Sequence, residues 1–443
     1  MKVSILKQKD FSLLMLGKLV SLMGTQMQNF ALSLYVLKIT GSATKFASVL
    51  AVTLIPQLIL GPIAGVFTDW LDRKKIIIVL DMLSGILVGI YAIIFAINGC
   101  LSLNQVYILA ISLSIISLVF NPAISTVIPS ITKKEELVDA NGINSFIMNL
   151  GNLAAPALAG VLFGFYDMFL ILAINSISFI LSFICEIFVD IPKTNKKPEK
   201  INAKSFINDF GEGIKFIKNK KIMLSVITLG LIINFTFTPI FSVGLTYISK
   251  QILKITDYQY GILETVLVIP MLMAPFICSS ISKKIKFSRI LFLDIFFTSI
   301  LIGIMAIIPS TIYLNFFNSN FIPYISLITV TFIISLMISI GNMALGIMFQ
   351  QEVPLEMMGR VGSVMGSVCM AAIPIGQIIF GLLFDKIEAW MCVSICSGIL
   401  FITILAFKKA LCGNTEDSNL SITNESLSLS SPEVVYAVDT NEH

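Results

Sequence analysis

Histidine is almost missing from this sequence: its single copy is the last residue, His443. That removes histidine relays, histidine-ligated metals and serine–histidine chemistry from the body of the chain. Charge is scarce as well. Only 13% of the 443 residues are charged, against about 25% in an average soluble domain. Hydrophobic residues reach 56%, and the mean hydropathy is +0.93. Such a surface could not be wetted, so the composition excludes a soluble enzyme, a disordered scaffold and a nucleic-acid reader. There is no G-x-x-x-x-G-K-[ST] loop, which argues against ATP-driven transport by this chain alone. Six of the seven cysteines lie in or beside apolar runs with no paired framework, and read as small apolar side chains. Cys392 and Cys396 share a helix face, yet no histidine or carboxylate completes a metal site there. No metal and no cofactor is expected.

What the chain does have is long apolar runs. They fall at roughly 11–37, 46–68, 76–98, 104–128, 140–163 and 168–190, and again at roughly 222–248, 258–281, 289–308, 322–346, 361–384 and 389–407. The first run is too long for a cleaved signal segment, so it is expected to stay as a membrane helix. With the N-terminus inside and the spans alternating, 24 Lys and Arg fall on inside segments and five outside, with Lys18 within a span. That ratio predicts both termini in the cytoplasm and an even number of crossings. The expected fold is an all-α membrane protein of twelve transmembrane helices in two six-helix bundles. Residues 1–191 form the first bundle and 222–407 the second. Between them, 192–221 is a cytoplasmic linker. In it Phe206, Ile207, Phe210, Ile214 and Ile217 recur at helical spacing, predicting an amphipathic helix on the leaflet; a partner-binding segment is the alternative. Residues 408–443, rich in Ser, Asn and acids, are expected to be disordered.

The two halves repeat each other at an offset of about 213–218 residues. LKIT at Leu37–Thr40 returns at Leu253–Thr256, TLIPQLILGP is matched by LVIPMLMAP, and Asp81 by Asp294. The stretch from Asn141 to Pro156 matches Gly359 to Pro374, and APALAGVLFGFYD resembles IPIGQIIFGLLFD. Duplicated six-helix halves place a substrate site near the midplane at the repeat interface, with access alternating as the halves rock. The bundles are therefore expected to be pseudo-symmetric.

Between the second and third runs stands GVFTDWLDRKK, Gly65 to Lys75. This G-x-x-x-D-x-x-x-R-K pattern resembles the signature loop of the major facilitator superfamily. SLMGTQMQNFALSLYVLKITGSA, FNPAISTVIPSITKKEELVDANGINS and PLEMMGRVGSV narrow the resemblance to its macrolide-efflux (drug:proton antiporter-3) branch, from Phe11 to about Phe407. The resemblance implies a monomeric, multi-pass cell-membrane transporter that is not an enzyme. It would export amphipathic drug-like or macrolide-like small molecules by proton antiport through alternating access. Its partners would be substrate, protons and the lipid bilayer, with no nucleic acid. A siderophore or metabolite exporter, or an uptake permease, is the alternative within the class. A membrane-embedded enzyme would need a cluster of polar catalytic groups at one depth, which the scattered acids do not offer. A non-transporting receptor is the remaining class.

Gating residues follow from the loop and its counterpart: Gly65, Asp69, Asp72, Arg73, Lys74, Gly359 and Arg360. Gly65 allows close helix approach, and Asp69 can face the positive end of another helix; the resemblance makes that helix the one beginning near Val361. Trp70 stands where family members usually carry a basic residue, and Ser282 replaces the acid in the second-half copy. For proton coupling the leading candidate is Glu264, about six residues into its span, with a merely pairing carboxylate as the alternative. Asp81 and Asp294 are the other candidates, although their equivalence in the repeat favours a structural role facing Arg73 or Arg289. Lys18 can snorkel. Lys18, Ser21, Thr25 and Gln28 share one face of the first helix, and Asn141, Ser145, Asn149 and Asn152 one face of the fifth. Asn234, Thr238 and Gln377 are polar positions in later spans. The resemblance makes Gln28, Asn29 and Asn234 substrate contacts, with interhelical hydrogen bonding as the alternative.

Overall fold

A computed structural model describes residues 3–70, 72–133, 136–192, 203–282, 285–317 and 319–412. Helices make up nearly all of it, and there is no strand among the described residues. The helices are α1 (Lys9–Thr40), α2 (Ala43–Trp70), α3 (Arg73–Asn98), α4 (Leu103–Ile131), α5 (Leu137–Phe165), α6 (Met168–Ile187) and α7 (Ala203–Asn219). Then come α8 (Lys221–Ile252), α9 (Asp257–Ser282), α10 (Phe287–Ile307), a short α11 (Thr311–Phe316), α12 (Phe321–Glu352), α13 (Leu355–Lys386), α14 (Ala389–Ala406) and α15 (Lys408–Cys412). Ten of these, all but α1, α5 and the short or amphipathic α7, α11 and α15, are long and apolar enough to cross a membrane. The other two expected spans coincide with α1 and α5, which have 32 and 29 residues. A crossing needs only about 20, so both are long enough.

Turn chemistry explains where the helices stop. Gly41 and Gly99 adopt left-handed conformations (φ 64 and φ 68) and end α1 and α3. Ser102 and Gln105 form a reciprocal capping box at the start of α4. Thr256 and Gln259 do the same for α9: the Thr256 N–H donates to Gln259 Oε1 at 2.9 Å, and the Gln259 N–H to the Thr256 hydroxyl at 3.2 Å. The run expected as one plain helix from 222 carries two π-helical stretches, Ile240–Gly244 and Ile248–Ile252. The first follows Pro239, which lacks the N–H that an α-helical ladder would use.

The repeat is visible in the packing. In the first half α1 packs on α5 and α6, α3 on α4 and α6, and α2 on α4. In the second, α8 packs on α13 and α14, α10 on α12 and α14, and α9 on α12. Two hydrogen bonds recur at matching places. Ser114 of α4 donates to the Thr53 carbonyl of α2 (2.5 Å), as Ser335 of α12 does to Leu267 of α9 (3.2 Å). Ser176 of α6 donates to Gly85 of α3, and Ser397 of α14 to Ser299 of α10, both at 2.8 Å. The halves meet along two further symmetric pairs, α2 with α13 and α5 with α9.

The connections carry further detail. In the amphipathic α7, Phe210, Ile214 and Ile217 pack with Val361 and Val364 at the start of α13. The tail does not lose order at Lys408, because α15 follows and buries Leu411 against α8 and α10; residues 413–443 lie outside the described residues.

The α5–α9 contact is close because two glycines face each other. A Cβ added to Gly261 would stand 2.9 Å from Val161 Cγ2 and 3.0 Å from the Val161 nitrogen, and one on Gly160 3.0 Å from the Gly261 Cα. Overpacking of this kind costs about 1–3 kcal/mol. Gly261→Leu is therefore expected to lower the thermal unfolding midpoint in detergent. Gly398→Leu, at a position with no neighbour within 4 Å of an added Cβ, should leave it unchanged. Equal melting of the two variants would contradict this packing.

Candidate functional site

A polar cavity of about 240 Å³ opens inside the first half. α1 contributes Lys18, Ser21, Thr25, Gln26 and Asn29; Gln57, Asp81 and Ser84 come from α2 and α3, and Ser117 and Asn121 from α4. The stripe on α1 explains most of this lining, since residues three and four apart share a helix face. Lys18 Nζ donates to Asn144 Oδ1 of α5 at 2.6 Å. Lys18 is 9% exposed, so it is anchored across two helices rather than snorkelling to the interface.

Of the three expected substrate contacts, Asn29 lines this cavity. Gln28 does not. It is fully buried, and its Oε1 accepts from Asn175 Nδ2 of α6 at 2.7 Å. One residue of helix is a 100° rotation, which carries Gln28 from the cavity face to the α1–α6 interface. Asn234 turns back on its own helix, donating to the Gly230 carbonyl at 2.8 Å. Gln377 reaches the π-helical stretch, with Nε2 3.4 Å from Ser242 Oγ.

The acids occupy three different settings. Glu264 is half-buried and accepts from the Tyr260 hydroxyl at 2.7 Å; that hydroxyl lies 2.8 Å from Thr246. Phe30 of α1 stacks on Tyr260 at 5.8 Å, so this chain of polar groups sits where the two halves touch. Asp294 is 8% exposed, packs its carboxylate over Gly341 of α12 and leaves Oδ1 without a partner. Asp81 is 2% exposed and adjoins Ser182 of α6. The helix-end arginines proposed to face these two acids do not pair with them: among the described residues neither Asp81 nor Asp294 is in an ion pair. Beside Asp81 lies an acid that sequence reasoning missed, Glu186, itself 1% exposed. It lies in the last turn of α6, inside the expected run 168–190.

Compared with known proteins, residues 14–377 match the profile of the Major Facilitator Superfamily. The chain belongs to that superfamily. It is 25% identical over 390 residues to macrolide efflux protein A of Streptococcus pyogenes, covering 88% of this chain and 92% of the relative. It is 24% identical over 238 residues to the multidrug efflux pump Tap of Mycobacterium bovis, covering 52% and 56%. Among solved structures, an inward-facing bacterial homologue of the iron transporter ferroportin shares the fold, with a TM-score of 0.71 and 14% identity over 91% of this chain and 98% of that one. The superfamily and fold are those of membrane transporters.

Of the facilitator signature loop, the described residues Asp72 and Lys74 are engaged within their own half. Gly65 and Asp69 lie on α2, but their side chains are outside the described residues. Asp72 caps α3, accepting from the Lys74 N–H at 3.0 Å and the Lys75 N–H at 3.4 Å. Lys74 Nζ donates to the Ile187 carbonyl at 3.1 Å, tying α3 to the end of α6; Arg73 is half-buried beside it. In the second half Arg360 pairs with Glu212 of α7, and Gly359 is exposed with open space around it.

At the opposite end of this facilitator fold is a junction that sequence reasoning also missed. Asp385, in the last turn of α13, caps the start of α2. Its carboxylate accepts from the Ala43 N–H at 2.7 Å, the Thr44 N–H at 3.0 Å, and the Ser42 and Thr44 hydroxyls at 2.6 Å each. Ser42 accepts from the Lys45 N–H, so three successive free N–H groups of α2 are satisfied, two of them by the other half. The negative charge also faces the positive end of α2. Gly381 lets the helices close: an added Cβ would lie 2.8 Å from Ala47 Cβ. The signal was the shared final Asp of the FYD and LFD repeat ends, at Asp167 and Asp385.

Losing a helix cap costs about 0.5–2 kcal/mol, and 1–2 kcal/mol is roughly a 5–30-fold change in an equilibrium. Asp385→Ala is thus expected to raise the population in which the ends of α2 and α13 are apart. Asn, itself a good cap, should restore much of the contact. Spin labels at Lys45 and Lys386, on a background without the native cysteines, read this as a longer distance component. An unchanged distribution in the Ala variant would remove the junction from the gating machinery.

Proposed function

We propose that this chain is a twelve-span secondary transporter that exports amphipathic, drug-like or macrolide-like compounds across the cell membrane by proton antiport, with both termini in the cytoplasm. The likeness to macrolide efflux protein A over most of both chains carries this reading. In that orientation the α1–α2 turn faces outward, and the Asp385 junction and the Gly160–Gly261 contact form an outer closure. At the cytoplasmic end Gly359 and Gly366 of α13 have no neighbour within 4 Å of an added Cβ, which supports a state open to the inside, ready to load an exported compound. Rocking of the halves would then exchange the outer closure for a cytoplasmic one, with Gly65, Asp69 and Arg360 near its seam.

The cavity favours a second reading for the size of the cargo. At about 240 Å³ it is below the roughly 300–1,000 Å³ of drug-sized sites. A macrolide-sized compound would have to fill space between the halves as well, whereas a smaller polar metabolite would fit the cavity alone.

Transport into inverted membrane vesicles tests both. With an acid interior, a radiolabelled macrolide is expected to accumulate and to be released by a protonophore. Asp69→Asn should abolish accumulation while the protein still reaches the membrane. Macrolide uptake that ignores the pH gradient would refute antiport. Uptake of small polar metabolites but no macrolide would decide for the second reading.

A further inference from the structure

Most polar groups buried in this bundle are satisfied. Asp81 and Glu186 depart from that pattern together. Both Glu186 carboxylate oxygens and Asp81 Oδ2 are buried without a hydrogen-bond partner. The two residues sit on α3 and α6, which pack against each other, and Glu186 lies within electrostatic reach of Asp81. Helix geometry explains the meeting. Side chains lean toward the N-terminus of their own helix. Because α3 and α6 run antiparallel, Asp81 leans toward the terminal end of the bundle and Glu186 leans away from it, so the two converge.

Among the described residues neither acid is in an ion pair. Lys18, on α1, lines the same cavity as Asp81, but its ammonium is held by Asn144. Lys74, near the start of α3, is held by the Ile187 carbonyl. α4 has no charged residue at all. On α6 the remaining titratable neighbour is the thiol of Cys185. α1 approaches with Gly17, where an added Cβ would lie 3.1 Å from Ser182 Oγ and 3.3 Å from Cys185 Cβ. Two adjacent carboxylates in an apolar interior cannot both stay ionised, and a shared proton relieves the conflict. Among the described residues no group of three His, Cys, Asp or Glu is arranged to hold a metal ion.

We infer that Asp81 and Glu186 form a proton-binding site, with Asp81 at the wall of the α1–α4 cavity and Glu186 behind it. The site deepens the antiport reading and rests on it for its part in transport. It also separates the first half from the second. There, Asp294 has no acid opposite it on α14, and Glu264 is already engaged by Tyr260. A proton taken up at the pair removes a negative charge from the cavity wall beside Lys18, so the cavity's net charge changes with the loading of the site. That is the property needed for proton and organic cargo to compete.

The test uses the full chain in lipid nanodiscs and the probe dicyclohexylcarbodiimide, an apolar reagent that attacks protonated carboxyl groups. Peptide mass spectrometry is expected to find the adduct on Asp81 or Glu186, falling severalfold as pH is raised and unaffected by sodium chloride at fixed pH. Absence of label from both residues across the pH range would overturn the inference, and protection by sodium would assign the site to that cation instead. A second measurement does not depend on the reagent. After an acid pulse in weak buffer, the Asp81→Asn/Glu186→Gln double variant, eluting as a monodisperse protein, should take up fewer protons than the unmodified chain; equal uptake counts against the pair. Neither experiment needs a substrate. A protein that labels at the pair yet exports without regard to a pH gradient keeps the proton site and loses the antiport reading.

Discussion

Lipid gives a helix no hydrogen-bond partner and no hydrophobic reason to leave it for another helix. Everything that joins these helices must therefore come from close packing and from polar groups that find each other inside the protein. The recurring solution is a serine hydroxyl donating to a backbone carbonyl of the neighbouring helix, at Ser114, Ser176, Ser335 and Ser397. Bonds of this kind average only about 0.6 kcal/mol each. They act as registers more than as glue: a serine that must meet one particular carbonyl sets how far one helix slides along another. That two such registers recur in both halves explains how the duplicated plan survives with so little identical sequence.

The same constraint gives the buried acids of the two halves different settings. A buried acid must be paired, hydrogen-bonded or protonated. Glu264 is hydrogen-bonded, and by standing against Phe30 and Tyr260 it belongs to the contact between the halves. Asp294 fills the space above a glycine. Asp81 has a second acid for a neighbour and a polar-lined cavity on its other side. The two matched positions of the repeat thus sit in different settings, Asp294 over Gly341 and Asp81 between Glu186 and the cavity.

Contact between the halves is made from helix ends. The α2 terminus needs acceptors wherever it goes, because its first N–H groups have no partners within the helix. Asp385 supplies them only while α13 is close, so in the proposed rocking those N–H groups would pass to water. Asp385 is exposed, which would keep that exchange mild. At the other end α7 uses its apolar face and Glu212 to hold the start of α13. α7 is therefore attached to the second half.

The helices, their ends and the duplication were all legible in the chain. A membrane helix makes its backbone bonds within its own segment, so hydropathy, glycine C-caps and capping boxes are local facts. The loop from Gly65 to Lys75 and the match at Asp81 and Asp294 were legible for the same reason. What could not be read was rotation and register between helices. Those set Asn29 on the cavity and its neighbour Gln28 in an interface, brought Glu186 to Asp81 across α3 and α6, and placed Asp385 on the first turn of a helix more than three hundred residues earlier, |i−j| = 342 at Ala43. Each of these depends on where a side chain lies relative to a distant helix. That is fixed only when all the helices pack at once.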